Sequence, residues 1–187
     1  MSIFDKAIAA VTPPESEDAR REARQKAQAA SSAGDWLSLI LTHHNQIEAA
    51  FAAVKAAMTA GERTAAQKKL GILLTGHSIA EESIIYPALA IAGEKGHATT
   101  AYTEQSVAKM EMAALETLAP MSQDYLDKLE HIRGAVAHHV YEEEGNWFID
   151  LKKKAAAADQ SKLTTRYKEE FDRYMGTEAM GAKQTAG

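Results

Sequence analysis

Two stretches of this chain repeat one phrase. His77-Ser78-Ile79-Ala80-Glu81-Glu82 leads to Tyr86, and His139-Val140-Tyr141-Glu142-Glu143-Glu144 leads to Phe148, so both read H-x-x-x-E-E-x-x-x-aromatic. A third, partial copy is His44-Asn45-Gln46-Ile47-Glu48. On a helix, residues four apart lie on one face. Each phrase can therefore offer an imidazole and a carboxylate to the same point in space. Three such segments suggest a metal ion held inside a helical bundle. The chain has no cysteine, which excludes thiolate sites and disulfides. Histidine and carboxylate donors favour iron, manganese or zinc.

Four long helical stretches are available to position these groups. The first runs from about Asp35 to about Ala60, ending at Gly61, with the stripe Leu37, Leu41, His44, Glu48, Phe51. The second runs from about Glu62 to about Ala92, with Leu70, Leu73, His77, Glu81, Ile84 and Ala88 in line. The third runs from about His97 to Ala119, and its apolar set includes Val107, Met110, Ala114, Leu115 and Leu118. The fourth starts near Ser122 and passes Leu151, with Leu129, Ile132, Val136, His139 and Glu143 in line. Steps of three and four mark core-facing helix faces, and the short connections near Gly61, Gly93–Gly96 and Pro120 imply antiparallel neighbours. The expected fold is all-α, an antiparallel up-down four-helix bundle with additional N-terminal and C-terminal helices. Residues 1–34 read as a helical extension, 35–155 as the bundle, and 156–187 as a C-terminal helix and flexible tail. Within the extension, Ile3, Phe4, Ala7, Ile8 and Val11 suit a short docking helix that Thr12-Pro13-Pro14 breaks. Near the other end, Leu163, Tyr167, Phe171 and Tyr174 mark a helix from about Ser161 to Met175, packed outside the bundle, before a dozen residues that read as disordered.

The histidines and glutamates stand in register with Leu, Ile and Val. A buried carboxylate or imidazolium is costly unless paired or coordinated, so three His and three Glu at one level need a shared explanation. His44, Glu48, His77, Glu81, His139 and Glu143 are the candidate metal-ligating residues. His43 and His138 point about 100° away from their neighbours and read as outer partners or surface groups. Glu82, Glu142 and Glu144 either orient ligand imidazoles or face water, while His97 and His131 read as solvated. Tyr86 and Phe148 read as packing residues, with Tyr86 also able to line the site.

Composition narrows the function. The 21 basic and 26 acidic residues give a net charge of −5 with no long basic block, which does not suggest nucleic-acid binding. No apolar run approaches membrane-spanning length, the N-terminus does not look like a signal peptide, and a chain without cysteine suits a reducing cytoplasm. Oligomeric state is not legible in the sequence.

At these residues the chain resembles the hemerythrin-like family, the HHE cation-binding domains, over about residues 35 to 155. The blocks that carry the resemblance are His43-His44-Asn45-Gln46-Ile47-Glu48, His77…Glu81-Glu82…Tyr86-Pro87 and His138-His139-Val140-Tyr141-Glu142-Glu143-Glu144. The resemblance implies two non-haem iron ions, oxo- or hydroxo-bridged, in an antiparallel four-helix bundle, with manganese or zinc as other metals that suit the donors. His44, His77 and His139 would be nitrogen ligands, and Glu81 and Glu143 bridging carboxylates. Family members usually place a His on the third helix. Here Glu104 is followed by Gln105 and Ser106, so that helix offers Glu104, Glu111 or nothing, and Glu48 can compensate. The expected function is binding or sensing of dioxygen, nitric oxide or redox or iron state. The alternatives are a di-iron enzyme acting on hydrogen peroxide or oxygen species, and a mononuclear or zinc structural bundle.

Overall fold

The computed structural model describes residues 15–185, with side chains to residue 176, and every element in it is helical. The short helix expected from Ile3 to Val11 lies outside the described residues. The α-helices, in chain order, are α1 (Glu17–Ala30), α2 (Trp36–Ala56), α3 (Ala60–Ala80), α4 (Tyr86–Ile91), α5 (Lys95–Leu115), α6 (Gln123–Glu142), α7 (Phe148–Lys154) and α8 (Ala157–Thr185). Two π-helical turns, Glu81–Ile85 and Glu143–Trp147, join α3 to α4 and α6 to α7 without a break. Among the described residues no helix is long and apolar enough to cross a membrane.

Local chemistry sets the boundaries. Ser16, Asp35 and Ser122 cap α1, α2 and α6 by accepting from the backbone N–H three residues on. Thr59 and Glu62 form a reciprocal capping box on α3. This box moves the first connection from Gly61, where the sequence reading put it, to the residues before Thr59, and leaves Gly61 in the first turn of α3. Arg63, 5 % exposed, then donates to the carbonyls of Val54, Ala57 and Pro120, satisfying the C-terminal end of α2. Gly34 and Gly93 take positive φ (79° and 97°), which lets the chain reverse before α2 and α5.

The buried faces form two apolar clusters. One gathers Trp36, Leu37, Ile40, Ile85, Leu89, Phe148 and Tyr167, and the other Ile47, Phe51, Leu70, Leu115, Tyr125, Leu129 and Ile132. Burying a side chain such as Phe148 contributes about 1.5–3 kcal/mol. Along α2, Leu41 belongs to one cluster and Ile47 to the other, with buried His44 between them.

Two parts of the sequence reading change. The buried face of α5 is Ala98, Ala101, Gln105, Met112 and Leu115, whereas Met110 is 71 % exposed. The seam is built from small residues and an amide, so counting large apolar side chains selects the wrong face. At the C-terminal end, α8 runs to Thr185, through the segment expected to be disordered. No proline occurs after Pro120, and Ala, Met, Lys and Gln are good helix formers.

Candidate metal centre

Both π-turns begin on the glutamate of an H-x-x-x-E phrase. An α-helix places a residue five positions on about 140° away around the axis. A π-turn closes instead from i to i+5, so the N–H of Tyr86 reaches the carbonyl of Glu81, and that of Phe148 the carbonyl of Glu143. Tyr86 is thereby swung over Glu81. Pro87 has no N–H to continue the ladder, and the carbonyl of Glu82, five residues back, accepts from the Tyr102 hydroxyl at 2.6 Å.

The cluster forms between the rods. His44, His77, Glu81 and Glu143 each offer a donor atom within 4.8 Å of the others, and all four are buried. Nε2 of His77 lies 3.1 Å from Glu81 Oε2. Nε2 of His44 lies 3.3 Å from Glu143 Oε2 and 4.0 Å from Glu81 Oε1. His139 adjoins on the other side of Glu143, its Nε2 being 3.2 Å from Oε1. The Tyr86 hydroxyl sits among Glu81 Oε2 (3.1 Å), Glu143 Oε1 (2.9 Å) and His139 Nε2 (3.1 Å).

The far nitrogen of each imidazole is also held. Nδ1 of His44 meets Glu144 Oε1 at 2.6 Å, and Arg24 of α1 donates from Nε to the other Glu144 oxygen at 2.5 Å. Nδ1 of His77 meets the Tyr167 hydroxyl of α8 at 3.1 Å, and the same hydroxyl lies 2.8 Å from His43 Nδ1. Nδ1 of His139 meets Glu104 Oε2 of α5 at 2.8 Å. With Nδ1 engaged, all three rings present Nε2 to the cluster. Such outer contacts set the tautomer and orientation of a ligand imidazole.

Charge is shared unevenly. Burial works against a charged His44, but Glu143 and Glu144 outweigh it and push the imidazole up to about 9. Burial, followed by the neighbouring His44, drives His77 well below its ordinary value. Burial and the negative Glu143 raise Glu81 to about 8. Burial opposes the charge on Glu143 too, yet His139 and His44 hold that carboxyl well below the usual range.

Five of the six candidate residues come together; Glu48 does not. Its side chain is 65 % exposed and pairs with Arg24 at 3.0 Å. The buried face of α2 continues through Ile47, Phe51 and Val54, and α2 has no π-turn, so Glu48 falls on the flank. Of the acids weighed on the third helix, Glu104 stands behind His139 and Glu111 pairs with Lys128. The residue of α5 that enters the cluster is Gln105, donating from Nε2 to Glu81 Oε2 at 2.7 Å and meeting the Tyr86 oxygen at 2.5 Å. A polar residue inside the Ala98–Ala101–Met112–Leu115 seam was a legible signal for it. Tyr86 is more than packing, and Tyr167 makes α8 more than an outer layer. Phe148 does pack, edge-on to Trp36.

The residues fit a metal. Three buried atoms, His44 Nε2, Glu81 Oε1 and Glu143 Oε2, have no hydrogen-bond partner among the described residues, and they face one another. Orphaned buried polar atoms are rare and need an explanation. A cation among them supplies one, and the all-nitrogen-and-oxygen donor set suits a borderline or hard metal.

A bundle element with paired H-x-x-x-E motifs and this cluster defines a helical cation-binding protein. Residues 36–149 match the hemerythrin HHE cation-binding domain, and the chain belongs to that family. It is also similar, at 25 % identity over 112 residues, to a DNA nickase from Nostoc sp.. That stretch is 58 % of this chain and 32 % of the nickase, so the chain spans about a third of the length of the curated relative it matches. No solved structure matches the chain.

Proposed function

We propose that this chain is a cytoplasmic non-haem di-iron protein that binds or senses dioxygen, nitric oxide or redox or iron state. The observation that carries the reading is the convergence of the three orphaned atoms of His44, Glu81 and Glu143 in a buried cluster. His44, His77 and His139 would hold the metals through Nε2. Glu81 and Glu143 would lie between them, since each directs its two oxygens at different histidines. Manganese or zinc suits the same donors. The up-down antiparallel course of the four long rods and the division at residues 34 and 155 belong to this reading. Bound iron supplies Lewis acidity and one-electron redox chemistry. The protein orients the imidazoles through Glu144, Tyr167 and Glu104, keeps bulk water out with two apolar clusters, and holds a neutral phenol, Tyr86, against both carboxylates.

Peroxide decomposition is the second reading, favoured by α5. That helix brings an amide rather than an imidazole, which leaves five ligand residues for two ions and coordination positions open to a small molecule. The DNA nicking named for the relative belongs to a protein of which the matched stretch is only 32 %, and a net charge of −5 favours a small-molecule ligand here.

Metal content per chain, with the visible spectrum of aerobically purified protein, is the test. About two irons with near-ultraviolet bands bleached by reductant would support the di-iron reading. A single tightly held zinc, or no iron uptake after anaerobic reconstitution, would overturn it. Nitric oxide binding and hydrogen peroxide turnover then separate the two functions.

A further inference from the structure

Trp147 touches a residue of the cluster on one side and a surface residue on another. It is the last residue of the second π-turn, which follows His139 on the same continuous rod. In an α-helix the step from 139 to 147 would leave the two side chains about 80° apart. The extra residue of the π-turn takes up one position and brings them to within about 20°. The indole accordingly stands edge-on to the His139 ring, with centroids 6.0 Å apart. Nε2 of that imidazole lies 3.2 Å from Glu143. The indole also stacks on His97 of α5, with centroids 5.4 Å apart and planes 18° from parallel. Trp147 is 3 % exposed, whereas the His97 side chain, which pairs with Glu94, is 35 % exposed. Two ring contacts therefore lead from the cluster to solvent.

We propose that Trp147 relays single electrons between the metal centre and the surface at His97, where a one-electron carrier exchanges them. The inference rests on the metal-centre reading and adds to it a route for the electron. Electron transfer slows steeply with distance, so an oxidisable ring partway along divides one long step into two short ones. One electron passes per event. The carrier loses it, the oxidised centre gains it, and no bond is made or broken. Indole can give up an electron while keeping its proton, whereas a phenol needs a base to take the proton. That difference decides against the rival ring route, from Tyr86 to Tyr102, whose centroids are 5.2 Å apart and whose outer ring is 37 % exposed. The Tyr102 hydroxyl donates to the backbone carbonyl of Glu82, an amide oxygen too weakly basic to accept the proton outright.

The chain has no cysteine, so a single introduced one can carry a ruthenium polypyridyl photo-oxidant. Ile91→Cys places the label at the end of α4, where Ile91 is 87 % exposed, in the turn that leads to Glu94 and His97. In zinc-loaded, redox-inert protein, a flash should produce a tryptophan radical in the transient absorption spectrum. The signal should be lost in Trp147→Phe and kept in Trp36→Phe. In protein loaded with ferrous iron, the flash should oxidise the centre in a fast phase. Trp147→Phe should abolish that phase with iron content unchanged, and Tyr102→Phe should leave it intact. The control is the same label on Met58→Cys, 82 % exposed between α2 and α3 at the other end of the rods, whose rate Trp147→Phe should not alter. No radical in the zinc-loaded protein, or a fast phase that survives Trp147→Phe, would overturn the proposal. Equal slowing from both labels would also overturn it, because Trp147 would then act on the centre itself rather than on the route. Failure to take up iron counts against the metal-centre reading instead, and the flash experiment on metal-free protein then decides the outer half of the route by itself.

Discussion

At the scale of the residue, the centre is a set of groups that are costly to bury singly and compatible together. His77→Ala and His139→Ala should each lose bound metal and the stability that metal confers, because coordination free energy is partly folding free energy. Glu48→Ala should leave the metal content at the wild-type value, since its carboxylate faces Arg24 and solvent. Elemental analysis of the three variants checks the assignment, and loss of metal in Glu48→Ala would contradict the geometry of α2. Glu48 also shows the reach of sequence reasoning at this scale. The spacing of four from His44 is the same as in the other two phrases, but spacing alone does not say toward which side the buried face drifts. Ile47 and Phe51 settle that, and they do so by packing.

The helical elements carry the outer contacts. Tyr167 and Arg24 lie on α8 and α1, beyond residues 36–149 that match the family. Tyr167→Phe keeps the ring and removes only the hydroxyl between His43 and His77. It should weaken metal binding by about 10-fold, at the low end for loss of an outer partner of a ligand. The melting temperature of metal-free protein should move little. Competition with a chelator and thermal melts distinguish this from Leu163→Ala, a packing change on the same helix, which should lower the melt and spare the affinity. The π-turns make their own prediction. Ser83 is exposed within the first of them. Deleting it removes the extra residue and returns the turn to α-helical closure, with α4 kept in its place. Helicity by circular dichroism should be retained, and Tyr86, now four positions after Glu81 and still on its face, should keep metal affinity near the wild-type value. A large loss of affinity would contradict the view that the turn serves to set Tyr86 over Glu81. A reading by 3.6 residues per turn left Tyr86 between packing and the site, because that count is off by one residue at the π-turn.

For the whole molecule, metal and protons compete for the same atoms. Glu81, raised from 4.5 to about 8, gives metal-free protein a stability that is complete below about pH 4.5 and lost as pH rises through about 8. His44, raised from 6.5 to about 9, likewise contributes fully below about pH 6.5 and less as pH rises through about 9. Metal displaces those protons, so its affinity should rise with pH across this window, and the gap between loaded and metal-free melts should widen toward the alkaline side. At free metal about 1,000 times its dissociation constant, loading should add about 4 kcal/mol, which chelation removes. A gap that narrows with rising pH would contradict the proton assignment. What the sequence determined by itself was the helical class, and it named five residues, His44, His77, Glu81, His139 and Glu143, that the fold brings to one place, because helical periodicity and the burial of polar groups are local arithmetic. The tertiary structure alone decided that Gln105 and Tyr86 join those residues, that Glu48 does not, and that Arg24 and Tyr167 reach in from helices far along the chain. Those outcomes depend on where rods cross and where a helix takes an extra residue, and both are settled by packing between segments rather than by the order of residues within one.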